Sequence, residues 1–467
     1  MELPTNFDGH HFHCQSKKRT ESITKQVQKT RYRPAGRNEK WPQIPAPNIF
    51  QSLNAPEIVR QDRSLPTVAE CATHLEFLEV LFVLRQKVLK SNPIDTVYGI
   101  EPNYKFVTRR GQDVRLKDET LWDRRQVKWN RFVEYAVLRF FIWCCKGREV
   151  LEYKEPGNKS PHLTPHNLPP LDVLMVWHSF LLNPKVYAAA CGSMDIYRTP
   201  FPWSAIHSAI NSNDWTFKQT TEASEKFKSL TGLETSLYDD TCTWSEISQA
   251  FRDYLTSFTL DSFSDNNAKT LGSPDGSPKM FELFDPKYGQ LAVALRNAVL
   301  RQCSFVEKMN RYLWIRSPAL SGTLKRAIKR YDYFLKLVKR YPDTMFVPTL
   351  DIDLIWHTHQ CRAIEYVKTT RELAGKFLNH DDTIKDGILG DGFEETRTLY
   401  HLRFGREYRV CGCWDCEALL SALEEARSGT GPLEDMEEIA KNVAAAVEYY
   451  KKVELARRNG KGLPARN

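Results

Sequence analysis

No stretch of this sequence is apolar for long enough to cross a bilayer. The longest such run, YAVLRFFIWCC at 135–145, is interrupted by Arg139 and falls well short of the ~20 residues a spanning helix needs. The N-terminal MELPTNFDGHHFHC lacks the charged-then-apolar layout of a secretory signal. The 11 cysteines are odd in number and mostly scattered, apart from Cys144–Cys145 and the group Cys411, Cys413 and Cys416, so a secreted disulfide framework is not indicated. Also missing are a P-loop, a G-x-G-x-x-G turn after a strand, a G-x-S-x-G elbow and an H-E-x-x-H pair. These absences point to a protein of the cytoplasm, or alternatively the nucleus, with reduced thiols and no nucleotide or hydrolase signature.

Charge of one sign is lacking over most of the chain, despite a net +8. Residues 1–45 and 450–467 each contribute +5, leaving the body between them slightly acidic. A basic groove through the fold is therefore not expected; the two basic ends read first as solvated, disordered tails, and alternatively as arms able to touch RNA or anionic lipid.

At 467 residues the chain exceeds what one growing core accommodates, and two halves are expected. Strand-like segments are few and short. Apolar residues instead recur at three and four over 68–91, 117–145, 286–314 and 318–341, each a helix by spacing. VYGI and YKFVTRRGQDVRL, within 92–115, allow one small hairpin. The expected fold is mainly α, with two pseudo-symmetric helical halves and at most a small β hairpin. The divisions are a disordered basic arm at 1–60, a first half at 61–260, a linker at 261–282, a second half at 283–430, and a charged helix with a basic tail at 431–467.

The halves are inferred from a phrase used twice. LPPLDVLMVWHSFLLNPKVYAAAC at 168–191 and VPTLDIDLIWHTHQCRAIEYVKTT at 347–370 share Pro169/Pro348, Leu171/Leu350, Asp172/Asp351, Trp177/Trp356, His178/His357 and Tyr187/Tyr366. Read as a helix capped by Thr349, the second copy places Leu350, Leu354, His357 and Cys361 on one stripe, with Ile352, Ile355, Trp356 and Tyr366 covering the other side. A helix apolar nearly all round is a buried one. Asp172 and Asp351 suit the first helical turn, where the macrodipole favours a carboxylate. The shared Trp-His pair reads first as core architecture, a large ring beside a neutral, hydrogen-bonded imidazole.

Chemistry is expected where the copies differ. Asp353 replaces Leu174 and His359 replaces Phe180, giving D-x-D-x-x-W-H-x-H in the second copy alone. Asp353 and His357, four apart, share a helical face and can grip a metal ion or hold one another by hydrogen bond. His359 would need a curved or terminated helix to join them, and His178 would need to approach across a pseudo-dyad. A second candidate is Cys411, Cys413 and Cys416 with His401, three thiols in six residues that zinc or another divalent metal could bind with one outside ligand.

At LDVLMVWHSFLLNP and VPTLDIDLIWHTHQ, supported by FLNHDD, YHLRFG and CGCWDCEA, the sequence resembles the glycine-rich domain-containing protein-like family of plants and fungi, over most of 60–425. The resemblance implies an unassigned molecular activity. Plant relatives are linked to growth and stress responses and carry a C-terminal glycine-rich or RNA-binding segment. This chain differs there, with 22 glycines in all and a charged C-terminal helix, as in a fungal-type member without that tail. Some fungal relatives are labelled 2-oxoglutarate-dependent dioxygenases, whose 2-His-1-carboxylate site sits on a β jelly roll that the helical pattern does not provide. The leading reading is an interaction or scaffold module with a protein partner. The alternatives are a metal-binding protein or metal-dependent enzyme using Asp353, His357, His359 and His178, and an RNA binder acting through the basic ends.

Overall fold

A computed structural model describes residues 41–54, 65–109, 111–146, 149, 151–153, 161–241, 286–381, 386–428 and 435–466. The expected linker at 261–282 and the histidine-rich HHFHC segment lie outside them.

The molecule is built around the first strongly periodic segment, helix α1 (Val68–Lys90). Its start is fixed by a capping box: the Glu70 amide donates to Thr67 Oγ1 at 3.2 Å, and the Thr67 amide donates to Glu70 Oε2 at 2.8 Å. From Ala69 to Leu81 every residue of α1 is buried, including His74, Glu76 and Glu79. Such a helix needs neighbours on all sides, and the chain supplies them from distant segments. A 3-10 turn at Pro47–Asn54, α2 (Gln126–Cys145), α5 (Trp203–Ala209), α6 (Pro286–Tyr312), α7 (Leu320–Arg340) and α8 (Leu350–Gln360) all pack on it. The turn buries Phe50 and Leu53, so part of the expected N-terminal arm belongs to the core.

The two phrases form α3 (Leu171–Leu181) with α4 (Pro184–Cys191), and α8 with α9 (Ala363–Leu373). Helix α2 packs on α3, and α7 packs on α8. Further helices are α10 (Asp386–Phe404), α11 (Trp414–Ser428) and α12 (Met436–Arg458), with shorter ones at Asn92–Val97, Leu121–Arg124, Asp195–Arg198, Thr221–Thr231 and Leu237–Thr241. The fold is mainly α. Strands occur only as two-stranded antiparallel pairs among the described residues. The expected hairpin is β1 (Lys105–Arg109) with β2 (Gln112–Leu116), Val107 opposite Val114, and both strands are exposed throughout. The other pairs are two residues long per strand, at 152–153 with 161–162 and at 210–211 with 216–217, too short to read from sequence.

The basic C-terminal segment differs from a solvated tail. Glu454 of α12 is buried and lies 3.3 Å from Arg316, 3.2 Å from Arg457 and 2.8 Å from Arg458. Arg458 also reaches Glu79 of α1 at 3.5 Å, and Lys451 donates to Asp415 at 2.8 Å. Burial alone would raise the Glu454 carboxyl, but the three guanidinium groups outweigh it and hold the group below the usual carboxylate range. Sequence periodicity cannot show this, because Glu79 and Arg316 are remote along the chain. Replacing Glu454 by Ala leaves three buried guanidinium groups short of their shared anion, and is expected to lower stability by about 3–5 kcal/mol. Lys452→Ala, at an exposed position, should change it by less than about 0.5 kcal/mol. Urea unfolding of the two variants checks the contrast.

Candidate metal centre

Both phrases are held by the same contacts. Arg139 Nε of α2 donates to Asp172 at 2.6 Å, and Arg330 Nε of α7 donates to Asp351 at 2.6 Å. The first-turn aspartates therefore carry a guanidinium partner besides the helix dipole. Thr349 sits at the N-cap of α8 in extended conformation, its hydroxyl accepting from Arg330 Nη2 at 3.0 Å. Trp177 Nε1 donates to the Tyr187 hydroxyl at 3.1 Å, which donates to the Ile196 carbonyl at 2.8 Å. Trp356 Nε1 likewise donates to the Tyr366 hydroxyl at 2.8 Å, and this to the Leu378 carbonyl at 2.8 Å.

That relay fixes where the chain runs after α9. Two residues beyond the accepting carbonyl stands Arg198 in the first phrase and His380 in the second. His380 returns to α8, its ring edge-on to His357 with centroids 4.8 Å apart and 5.2 Å from Trp356. Its Nε2 lies 3.1 Å from His357 Nε2 and 3.9 Å from Asp353 Oδ1, and His357 Nε2 lies 3.3 Å from the same Oδ1. The side opposite is defined too: His380 Nδ1 is 3.1 Å from the Leu182 carbonyl, which can only accept. Nδ1 therefore carries the proton and Nε2 presents a lone pair to Asp353 and His357. His357 is buried against Phe305, ring centroids 4.4 Å apart, while Asp353 keeps a side chain partly open to solvent.

Burial holds His357 well below the usual histidine range, with the neighbouring His380, His74 and His178 adding to the effect. A neutral imidazole is the form that ligates metal. With metal–nitrogen arms of about 2.0–2.1 Å, the edges of a tetrahedron are about 3.3–3.4 Å. The three atoms here are 3.1, 3.3 and 3.9 Å apart. Small shifts would accommodate one ion, with three protein donors and a position to spare.

The other histidines go elsewhere. His359 Nδ1 is 3.0 Å from the Tyr331 hydroxyl, and its ring sits edge-on to Tyr366 at 5.1 Å. Phe180 occupies the matching place on Tyr187 at 4.9 Å, so His359 is seated as an aromatic ring of the core and does not reach Asp353. His178 Nε2 faces His74 Nε2 of α1 at 2.9 Å, and His74 Nδ1 is 2.8 Å from Thr358 Oγ1. The Thr358 hydroxyl donates to the Leu354 carbonyl at 2.8 Å, so it accepts from His74 Nδ1–H, and His178 Nε2–H in turn donates to His74. His178 is thus a neighbour of the cluster, engaged by α1. The crevice that His178 lines with Met175 and Cys303 contains none of Asp353, His357 and His380.

Cys411, Cys413 and Cys416 do come together, with sulfurs within 4.8 Å of one another, but His401 is not among them. It is exposed, with Nδ1 3.8 Å from Glu407. Sequence reasoning missed His380 and His74 as neighbours of the phrase. FLNHDD stood out in the sequence, but its return to α8 depends on the Tyr366–Leu378 bond, which periodicity does not reveal.

Four histidines, His74, His178, His357 and His359, are pushed below the ordinary value chiefly by burial, His178 and His359 to about 3. The unfolded chain takes protons at these rings near pH 6.5, where the native rings stay neutral. Unfolded protein therefore binds more protons below about pH 6.5, and stability falls as pH drops. In metal-free protein the urea midpoint should be level from about pH 8 to 7 and fall steadily from about 6.5 to 5. A midpoint level down to pH 5 would contradict neutral buried rings.

Residues 245–369, which include Asp353 and His357, match the model of the glycine-rich domain-containing protein-like family. The chain is 43% identical over 97 residues to glycine-rich domain-containing protein 2 of Arabidopsis thaliana, covering 19% of this chain and 12% of that protein. It is 29% identical over 253 residues to glycine-rich domain-containing protein 1 of the same plant, covering 52% of this chain and 26% of that protein. The alignments thus span about an eighth and a quarter of these relatives' lengths. No solved structure matches the chain. Over residues 245–369, which hold most of the second Trp-His phrase, the chain is similar to the glycine-rich domain-containing protein-like family.

Proposed function

We propose that the protein binds one divalent transition-metal ion, of the zinc or iron(II) class, at Asp353, His357 and His380. The observation that carries this reading is the convergence of a carboxylate oxygen and two Nε2 atoms at 3.1–3.9 Å. It arises in the copy of the phrase that has departed from the shared pattern. The first copy has Leu174 and Arg198 at the matching places and offers no such set. Two imidazoles and one carboxylate suit tetrahedral zinc with an open fourth position, or the facial triad of iron(II). Helix α8 supplies two donors and the segment after α9 the third, in place of jelly-roll strands. Open coordination beside a partly exposed Asp353 would admit water or a substrate.

A protein-interaction role is supported separately by the exposed hairpin, where Tyr104, Phe106, Val107, Val114 and Leu116 face solvent. The matched contacts of the two phrases also support reading them as copies of one helical unit. In that reading Trp177 meets Trp143, and Trp356 meets Phe334, each at 5.7 Å and 47°.

Full-length protein purified without a histidine tag, stripped by chelator and titrated with zinc or iron(II), tests the metal reading by calorimetry. Wild type should bind at this centre, and His380→Ala or Asp353→Ala should lose that binding while keeping the native circular dichroism spectrum. Binding unchanged in both variants would refute the assignment. Tyr366→Phe, which frees the Leu378 carbonyl, should weaken binding by roughly tenfold through loss of outer support. Tyr187→Phe, the matching change in the first copy, should leave affinity unaltered.

A further inference from the structure

A second cluster, independent of the first, lies at the start of α11. We infer that Cys411, Cys413 and Cys416 form a thiolate site for one thiophilic d10 cation, zinc(II) or copper(I). None of the three is in a disulfide, and their sulfurs all lie within 4.8 Å of one another. Cys413 is buried and its two companions are half-buried, so the group is reachable from solvent yet shielded on one side.

The turn that gathers them is held before any ion arrives. Gly412 has φ +69°, a left-handed conformation that an L side chain rarely adopts. A Cβ there would also stand 3.0 Å from Trp314 and 3.2 Å from Tyr312. The Gly412 carbonyl accepts from Trp314 Nε1 at 2.6 Å, and the Tyr312 carbonyl accepts from Trp414 Nε1 at 2.9 Å. Two indoles thus bracket the loop from opposite ends. Helix α11 begins at Trp414, so Cys413 immediately precedes it and Cys416 lies in its first turn. The Cys416 amide donates toward Cys413 Sγ at 3.5 Å, placing a helix N-terminal N–H on the sulfur that would carry charge.

A soft cation would take the three sulfurs as thiolates. Three S–H bonds break, three protons pass to solvent, and three metal–sulfur bonds form, with no change of oxidation state. Three thiolates complete a trigonal copper(I) site, whereas zinc would add a water or anion as fourth ligand. The bound ion would tie the loop to α11, and through Asp415 and Lys451 to α12.

The experiment uses the reduced, chelator-stripped full-length chain without a tag. Cobalt(II), as the spectroscopic stand-in for zinc, should produce sulfur-to-cobalt charge-transfer absorbance saturating at one equivalent. Cys416→Ser should abolish that absorbance, and His380→Ala should retain it, which separates this site from the histidine centre. Displacement of cobalt by zinc, or by copper(I) held in a competing chelator, tells which ion is preferred. Should Cys416→Ser fail to fold, differential alkylation of wild type decides: one equivalent of ion should slow modification of Cys411 and Cys416 at least tenfold and leave Cys145 unchanged. Absence of charge-transfer absorbance together with unprotected alkylation under zinc and copper(I) would overturn the site.

Discussion

The candidate centre depends on a relay of two hydrogen bonds, from an indole N–H to a phenol and from that phenol to a main-chain carbonyl. In the second phrase it runs from Trp356 through Tyr366 to Leu378. Each member is buried, so each bond satisfies a group that would otherwise be left dry at a cost of about 1–3 kcal/mol. The relay therefore specifies the path of the next residues as firmly as a strand pairing would. His380 faces His357 because Leu378 has nowhere else to put its carbonyl.

The same relay exists in the first phrase and leads to no such cluster among the described residues, so the relay belongs to the architecture. Asp172 and Asp351 answer to arginines on the preceding helices, and Trp177 and Trp356 fill the same slots. His178 and His357 share a position but not a partner, one meeting His74 of α1 and the other His380. Two differences between the phrases, Asp353 where the first has Leu174 and His380 where the first has Arg198, bring a carboxylate and a second imidazole to His357.

Much of the fold was legible, because helical spacing and caps are local. The expected helices over 68–91 and 318–341 correspond to Val68–Lys90 and Leu320–Arg340, and α8 begins after Thr349 as expected, although the Thr349 hydroxyl accepts from Arg330 and makes no capping bond. The shared face of Asp353 and His357 also follows from spacing alone. His380 was not legible, since its proton is placed by a carbonyl at Leu182, on the other phrase. His359 read as a ligand because its type suggests chemistry, yet its ring occupies a phenylalanine's place against Tyr366. The C-terminal arginines read as solvated for a similar reason. Their acid partners are Glu454, on the same helix, and Glu79, on the first.

Helix α1 has a consequence for synthesis. It emerges complete at Lys90, while α6, which covers one of its faces, begins at Pro286. At about 5–20 residues per second the ribosome needs roughly 10–40 s to make the intervening chain. Throughout that interval a segment carrying Phe77, Leu78 and Val80 beside His74, Glu76 and Glu79 has no complete shelter for either kind of side chain. The nascent chain must carry this segment uncovered until α6 is made, although the run from Ala69 to Leu81 is wholly buried in the finished molecule.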